Sequence, residues 1–171
     1  IETIINAGKI IGNNNKIKIK IVGSGKLLKW AKNDVKNKKI FNIEFLGRVP
    51  PSKMSKIFSD SSALIVSLKN GKVLNSTIPS KLQVYLSTSK PIIGSINGEA
   101  AEIIKNSKSG YVAKAGNSKK LAETIKKMKT LSQKKLDILG NNGLNYYKKN
   151  YQINLILFRL NKIFNELFKN K

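Results

Sequence analysis

The sequence predicts an α/β protein built on a parallel sheet, and three observations carry that prediction. Short apolar runs alternate along the chain with segments of helical periodicity, the pattern of strands joined by crossover helices. Ala63 to Leu68 is an almost unbroken apolar run, as expected of a strand covered on both faces. Ser76 to Ala101 reads as loop, helix, buried strand and glycine turn in immediate succession.

The elements follow in order. Ile1, Ile4, Ile5 and Ile11 give a helix that ends at Gly12, before the polar turn that opens with Asn13 and Asn14. Ile17, Ile19 and Ile21 alternate with lysines, so Lys16 to Val22 reads as a strand. Leu27, Leu28, Ala31 and Val35 keep helical spacing, and Ile43 to Leu46 is a short strand. Pro51 opens a helix carrying Met54, Ile57 and Phe58, and the Ala63 to Leu68 strand follows. Ser67 to Ser80 reads as a long loop into a helix beginning at Pro79. After it come a strand at Pro91 to Ile96, a helix from Glu99, a strand at Tyr111 to Ala113 and helices from Ser118 onward.

The composition limits the chemistry. With 171 residues, 40% of them hydrophobic, the chain can bury one real core. It has no cysteine and no histidine, so thiolate chemistry, imidazole bases and the commonest metal ligand are absent. No apolar run reaches the ~20 residues of a membrane-spanning helix, and the start of the sequence lacks the plan of a signal peptide, which points to a cytoplasmic setting. The formal charge of +24 invites a nucleic-acid reading. Almost all of it is lysine, however, spread over every segment, with Arg48 and Arg159 the only arginines. Phosphate and base-edge recognition favours the arginine fork, so a solvated lysine surface is the better account and nucleic acid is not the expected partner. Attraction to an anionic membrane surface stays compatible with this charge.

Candidate sites gather where predicted strands end. Ile78 precedes a proline and is steered from α geometry, and Pro79 has the φ of a first helical position, so the amides of Ser80, Lys81 and Leu82 are expected to lack carbonyl partners. They carry the positive end of the helix dipole and form an anion site. Ser80 and Lys81 can add a hydroxyl and a charge. The plain alternatives are a helix cap and a solvated lysine. The loop Gly23-Ser24-Gly25 fails both standard phosphate patterns, because Leu27 and Leu28 stand where a Ser/Thr or a third glycine is required; alone it is a tight turn. Arg48 follows a strand at the edge where α/β sheets bind ligands. Glu99 and Glu102 open a helix, for which the dipole is sufficient reason.

Several of these segments carry a resemblance. Pro79-Ser80-Lys81-Leu82, Tyr85-Leu86, Lys90-Pro91-Ile92-Ile93 and Gly98-Glu99-Ala100 resemble the donor-sugar half of the retaining family 4 (group 1) glycosyltransferases of the GT-B type, closest to bacterial members that build amino-sugar-containing surface polysaccharides. Ile21 to Gly25, Phe45 to Pro50, Gly110-Tyr111-Val112, Leu121 to Ile125 and Gly140 to Gly143 with Tyr146-Tyr147 fit the same family in order. The resemblance implies a Rossmann-like, doubly wound parallel sheet. It implies that Thr77, Pro79, Ser80, Lys81 and Leu82 face the donor diphosphate, that Gly47, Arg48 and Val49 pack on the nucleotide base, and that Gly98 and Glu99 lie near the sugar. It raises Gly23, Ser24 and Gly25 to a loop at the donor or interdomain cleft.

The family's ribose-gripping glutamate is Val84 here, with Gln83 beside it as a substitute, and Ser89 replaces a usual glycine. No catalytic residue is assigned. The family's arginine and lysine clamp follows a first strand that is missing, and that strand would lie between those assigned to Lys16–Val22 and Ala63–Leu68. The chain is thus expected to be a piece of a longer enzyme: residues 1–150 the donor-binding domain, and 151–171 a helix crossing back to the absent acceptor domain. Expected partners are a nucleotide-sugar donor, a glycan or polyprenyl-linked acceptor and, peripherally, anionic membrane. No cofactor or metal is expected. A nucleotide-sugar epimerase of the same architecture, which should show a histidine, and a basic binding module for RNA or anionic membrane are the rival readings.

Overall fold

The computed structural model describes residues 1–14 and 16–169. In chain order the elements are α1 (Glu2–Ile11), β1 (Ile19–Val22), α2 (Leu28–Asn37), β2 (Ile43–Gly47), α3 (Pro51–Ser59), β3 (Leu64–Ser67) and α4 (Lys72–Asn75). They continue as α5 (Ser80–Ser87), β4 (Ile92–Ser95), α6 (Glu99–Asn106), β5 (Gly110–Ala113), α7 (Ser118–Lys129), α8 (Gln133–Asn150) and α9 (Ile153–Lys169). Local chemistry sets several boundaries. Pro51 supplies the fixed φ of a first helical turn in α3, and the side chains of Asn117 and Ser132 accept backbone amides to cap α7 and α8.

All strand pairs are parallel, and the strands fall into two groups, β2-β1 and β3-β4-β5. Among the described residues no strand pairing joins the two groups. Helices cover both faces. One face of the strands, with Ile19, Ile43 and Ile93, packs with Ile5 and Ile11 of α1 and Leu121, Ile125 and Met128 of α7. The other, with Val66, Ile92 and Ile96, packs with Leu82 and Leu86 of α5 and Ile103 and Ile104 of α6. Ile92 and Ile93 point to opposite clusters, as the two-residue period of a strand requires.

Four expectations need correction. The first strand is Ile19–Val22, shorter than Lys16–Val22, because β2 offers it partners only from Ile43 onward. Leu27 does not face the core; it caps α2 and is 51% exposed. The Ala63 to Leu68 strand is covered fully only at Leu64 and Val66, with Ile65 and Ser67 half-buried, since β3 has a paired neighbour on one side alone. The 67–80 loop contains the short helix α4.

Candidate functional site

Because every strand is parallel and each helix returns against it, the helix heads and the strand ends share one edge, where α/β sheets take ligands. At the head of α5, Pro79 has φ −67° and ψ 134°, an extended cap and not the first helical residue. The ring fixes φ but leaves ψ free. Ser80 therefore opens the helix, and the Leu82 amide closes a tight turn onto the Pro79 carbonyl at 2.8 Å. Leu82 is thus removed from the expected anion donors, and its side chain is fully buried in the core. The amides of Ser80 and Lys81 have no backbone partner among the described residues. Both residues are exposed, and no side-chain cap competes for these two donors.

Two lysines share this edge: Lys81 is exposed on the first turn of α5, and Lys69, also exposed, follows the end of β3. The Thr77 hydroxyl donates to the Val73 carbonyl at 2.6 Å, an exposed bond within the loop. Along α5, Val84 is 48% exposed and Gln83 is half-buried. Tyr85 packs edge-on against Phe58 of α3, and burial raises its phenol above the usual range.

The loops after β1 and β2 form a second group. Gly23 donates to the carbonyl of Gly47 at 2.7 Å, which joins the predicted cleft loop to the predicted base loop. Ser24, Gly25 and Arg48 are exposed, and Val49 is half-buried. No hydrogen bond among the described residues links this group to the α5 head, and the two strand groups do not pair.

Gly98 caps α6 with φ 66°, and a Cβ there would overlap the carbonyl of Asn75. Only glycine fits this close approach in the left-handed region. Glu99 follows, exposed on the first turn of α6, while Glu102 pairs with Lys105 at 2.8 Å. Sequence reasoning missed Lys69, Asn70, Asn75 and Asn97, which border the same edge. Asn97 donates to Asn70 at 2.8 Å and accepts from the Ala115 amide at 3.1 Å. Its place directly before Gly98, at the end of a buried strand, was the available signal.

Residues 1–146 match the family model described as glycosyl transferases group 1. The chain belongs to this family. A glycosyltransferase of Methanocaldococcus jannaschii is 26% identical over 98% of the chain, which spans 44% of that relative. Among solved structures, Anabaena HepE in complex with UDP-glucose superposes with a TM-score of 0.79 at 13% identity, over 96% of this chain and 44% of that one. S. aureus TarM, in complex with fondaparinux, α-GlcNAc-glycerol and UDP, gives 0.78 at 16% identity, over 96% of this chain and 32% of that one. These likenesses show the fold, a GT-B half with parallel strands, helices on both faces and a helical tail. The chain covers less than half of each of these proteins, and the group 1 match ends within α8, before α9.

Proposed function

We propose that this group 1 domain is the donor-binding half of a longer retaining glycosyltransferase, of family 4. In this reading it serves transfer of a hexose or N-acetylamino sugar from a nucleotide diphosphate sugar to a glycan or polyprenyl-linked acceptor in surface polysaccharide synthesis. The observation that carries the reading is the α5 head, where the amides of Ser80 and Lys81 are unpartnered and exposed and Lys81 adds its charge on the same turn. Amides and cations of this kind stabilise a departing diphosphate without a bound metal, and the leaving oxygen can take the acceptor proton, so no histidine is needed. The Gly47 loop would meet the base and the Gly98-Glu99 turn the sugar. The neighbours' complexes with UDP, UDP-glucose and α-GlcNAc-glycerol support these ligand classes.

The lack of pairing between the two strand groups supports a piece of a longer enzyme, since one further parallel strand could join them into a single sheet. The exposed apolar face of α9 supports the expected crossing to an acceptor domain. The same helix and the lysine surface support peripheral contact with anionic membrane at the cytoplasmic side; no helix among the described residues is long and apolar enough to cross a bilayer.

Calorimetric titration of the protein carrying its upstream half with UDP and GDP tests the donor assignment. A Ser80→Pro, Lys81→Glu double variant removes an amide donor and reverses a charge, while proline at the first helical position leaves the helix intact. Loss of affinity is expected. Unchanged affinity would mean that the diphosphate sits elsewhere.

A further inference from the structure

We propose that Asn97 is a positioning residue for donor binding: its carboxamide ties the loop between β3 and α5 to the ends of β4 and β5, and so presents the α5 head preformed. This rests on the donor reading above. Residues 69–78 lead straight into Pro79 and Ser80, so their placement sets where the two free amides point. Apolar packing does little to hold them, because Val73 is 80% exposed and Asn70, Lys72 and Leu74 are exposed as well. The backbone bonds of Asn75, Ser76 and Thr77, and the hydroxyl bonds of Ser76 and Thr77, all stay within the segment itself. Among the described residues, the bond from Asn97 Nδ2 to Asn70 Oδ1 at 2.8 Å is the side-chain hydrogen bond that anchors this loop to the sheet.

Asn70 Oδ1 also accepts from Asn75 Nδ2 at 3.3 Å, which carries the tie to the end of α4. The other end of the Asn97 carboxamide accepts from the Ala115 amide beyond β5 at 3.1 Å. One side chain thus bonds the loops after β3 and β5 from its own place after β4. A carboxamide suits this place because it donates and accepts at once; aspartate only accepts, and alanine does neither. Gly98 completes the arrangement by letting the Asn75 carbonyl approach where a side chain would exclude it.

Hydrogen-exchange mass spectrometry and UDP and GDP titrations of the protein carrying its upstream half test the proposal, comparing the parent with Asn97→Ala, Asn97→Asp and Asn70→Ala. Asn97→Ala should speed exchange across 69–79 and 113–117. It should weaken binding of the tighter nucleotide about tenfold, the factor an ordinary hydrogen bond supplies. Asn97→Asp should retain an intermediate part of both, since it keeps the acceptor for Ala115 and can receive a turned Asn70 amide. Asn70→Ala and Asn97→Ala should be non-additive in affinity, because they break one bond. A residue that merely stabilises the fold would lower the melting temperature without this shared loss of affinity. Unchanged loop exchange, or unchanged affinity despite a loosened loop, overturns the Asn97 proposal alone. A parent protein, upstream half included, that binds neither nucleotide overturns the donor reading beneath it.

Discussion

The two strand groups use the same alternation of strand and helix and reach different degrees of closure. In β3-β4-β5 the central strand is buried at all four positions, whereas in β1-β2 only Ile19 and Ile43 are buried, and the following residues are half-buried or exposed. Composition does not explain the contrast, since Ile21 and Phe45 are as apolar as Ile93. The neighbours do. β4 has a strand on each side and helices above and below, while β1 and β2 each lack a strand on one side. Burial is thus a property of the place a strand occupies, and the α5 head and the Gly98 turn both adjoin the better-covered group.

Truncations should separate the two groups most strongly. Leu82→Ala, at a fully buried position of the closed group, should cost roughly 2–5 kcal/mol, while Ile21→Ala, half-buried in the open group, should cost about 1 kcal/mol; urea unfolding of the two variants measures both. Similar losses would break the comparison.

A smaller effect is expected where α8 meets the closed group. A Cβ at Gly140 would overlap the carbonyl of Ser89, so Gly140→Ala should destabilise by about 1–3 kcal/mol. Ser89 itself holds φ 55° without being glycine. Ser89→Gly should relieve that strain and, after glycine's larger unfolded-state entropy, raise stability by about 0.5–1 kcal/mol in the same assay. No gain would show that the turn is held without strain.

The smallest effect on folding belongs to the tail. Ile153, Leu157, Ile163, Phe164, Leu167 and Phe168 of α9 are each at least half exposed. Leu157→Lys with Phe164→Lys should therefore change stability by less than about 0.5 kcal/mol, yet reduce self-association in sedimentation. A large loss of stability would mean that α9 finds cover on its own domain.

Much of this architecture is legible in the sequence. Periodicity places α1, α3, α6 and β4, because a 3.6-residue or continuous apolar pattern reflects which faces are covered. The exposed face of α9 is equally plain. What escapes depends on partners distant in the chain. The start of β1 is set by β2, and the Asn97 tie joins residues 27 and 18 positions apart. The head of α5 was read almost correctly, and its error has a local cause: a proline ring sets φ and not ψ, so Pro79 became the cap and the Leu82 amide was consumed in the first turn. Likewise the sequence does not reveal that the Thr77 hydroxyl bonds back to the Val73 carbonyl.

Backbone chemical-shift mapping of the protein carrying its upstream half, titrated with UDP or GDP, tests whether the donor diphosphate sits at the α5 head; moderate salt screens diffuse attraction to the lysine surface. Saturable shifts concentrated at the amides of Ser80 and Lys81, with smaller ones at Gly47 and Gly98, are expected. Shifts spread over the lysines of α7 and α8, growing without saturation and vanishing with salt, would contradict that placement.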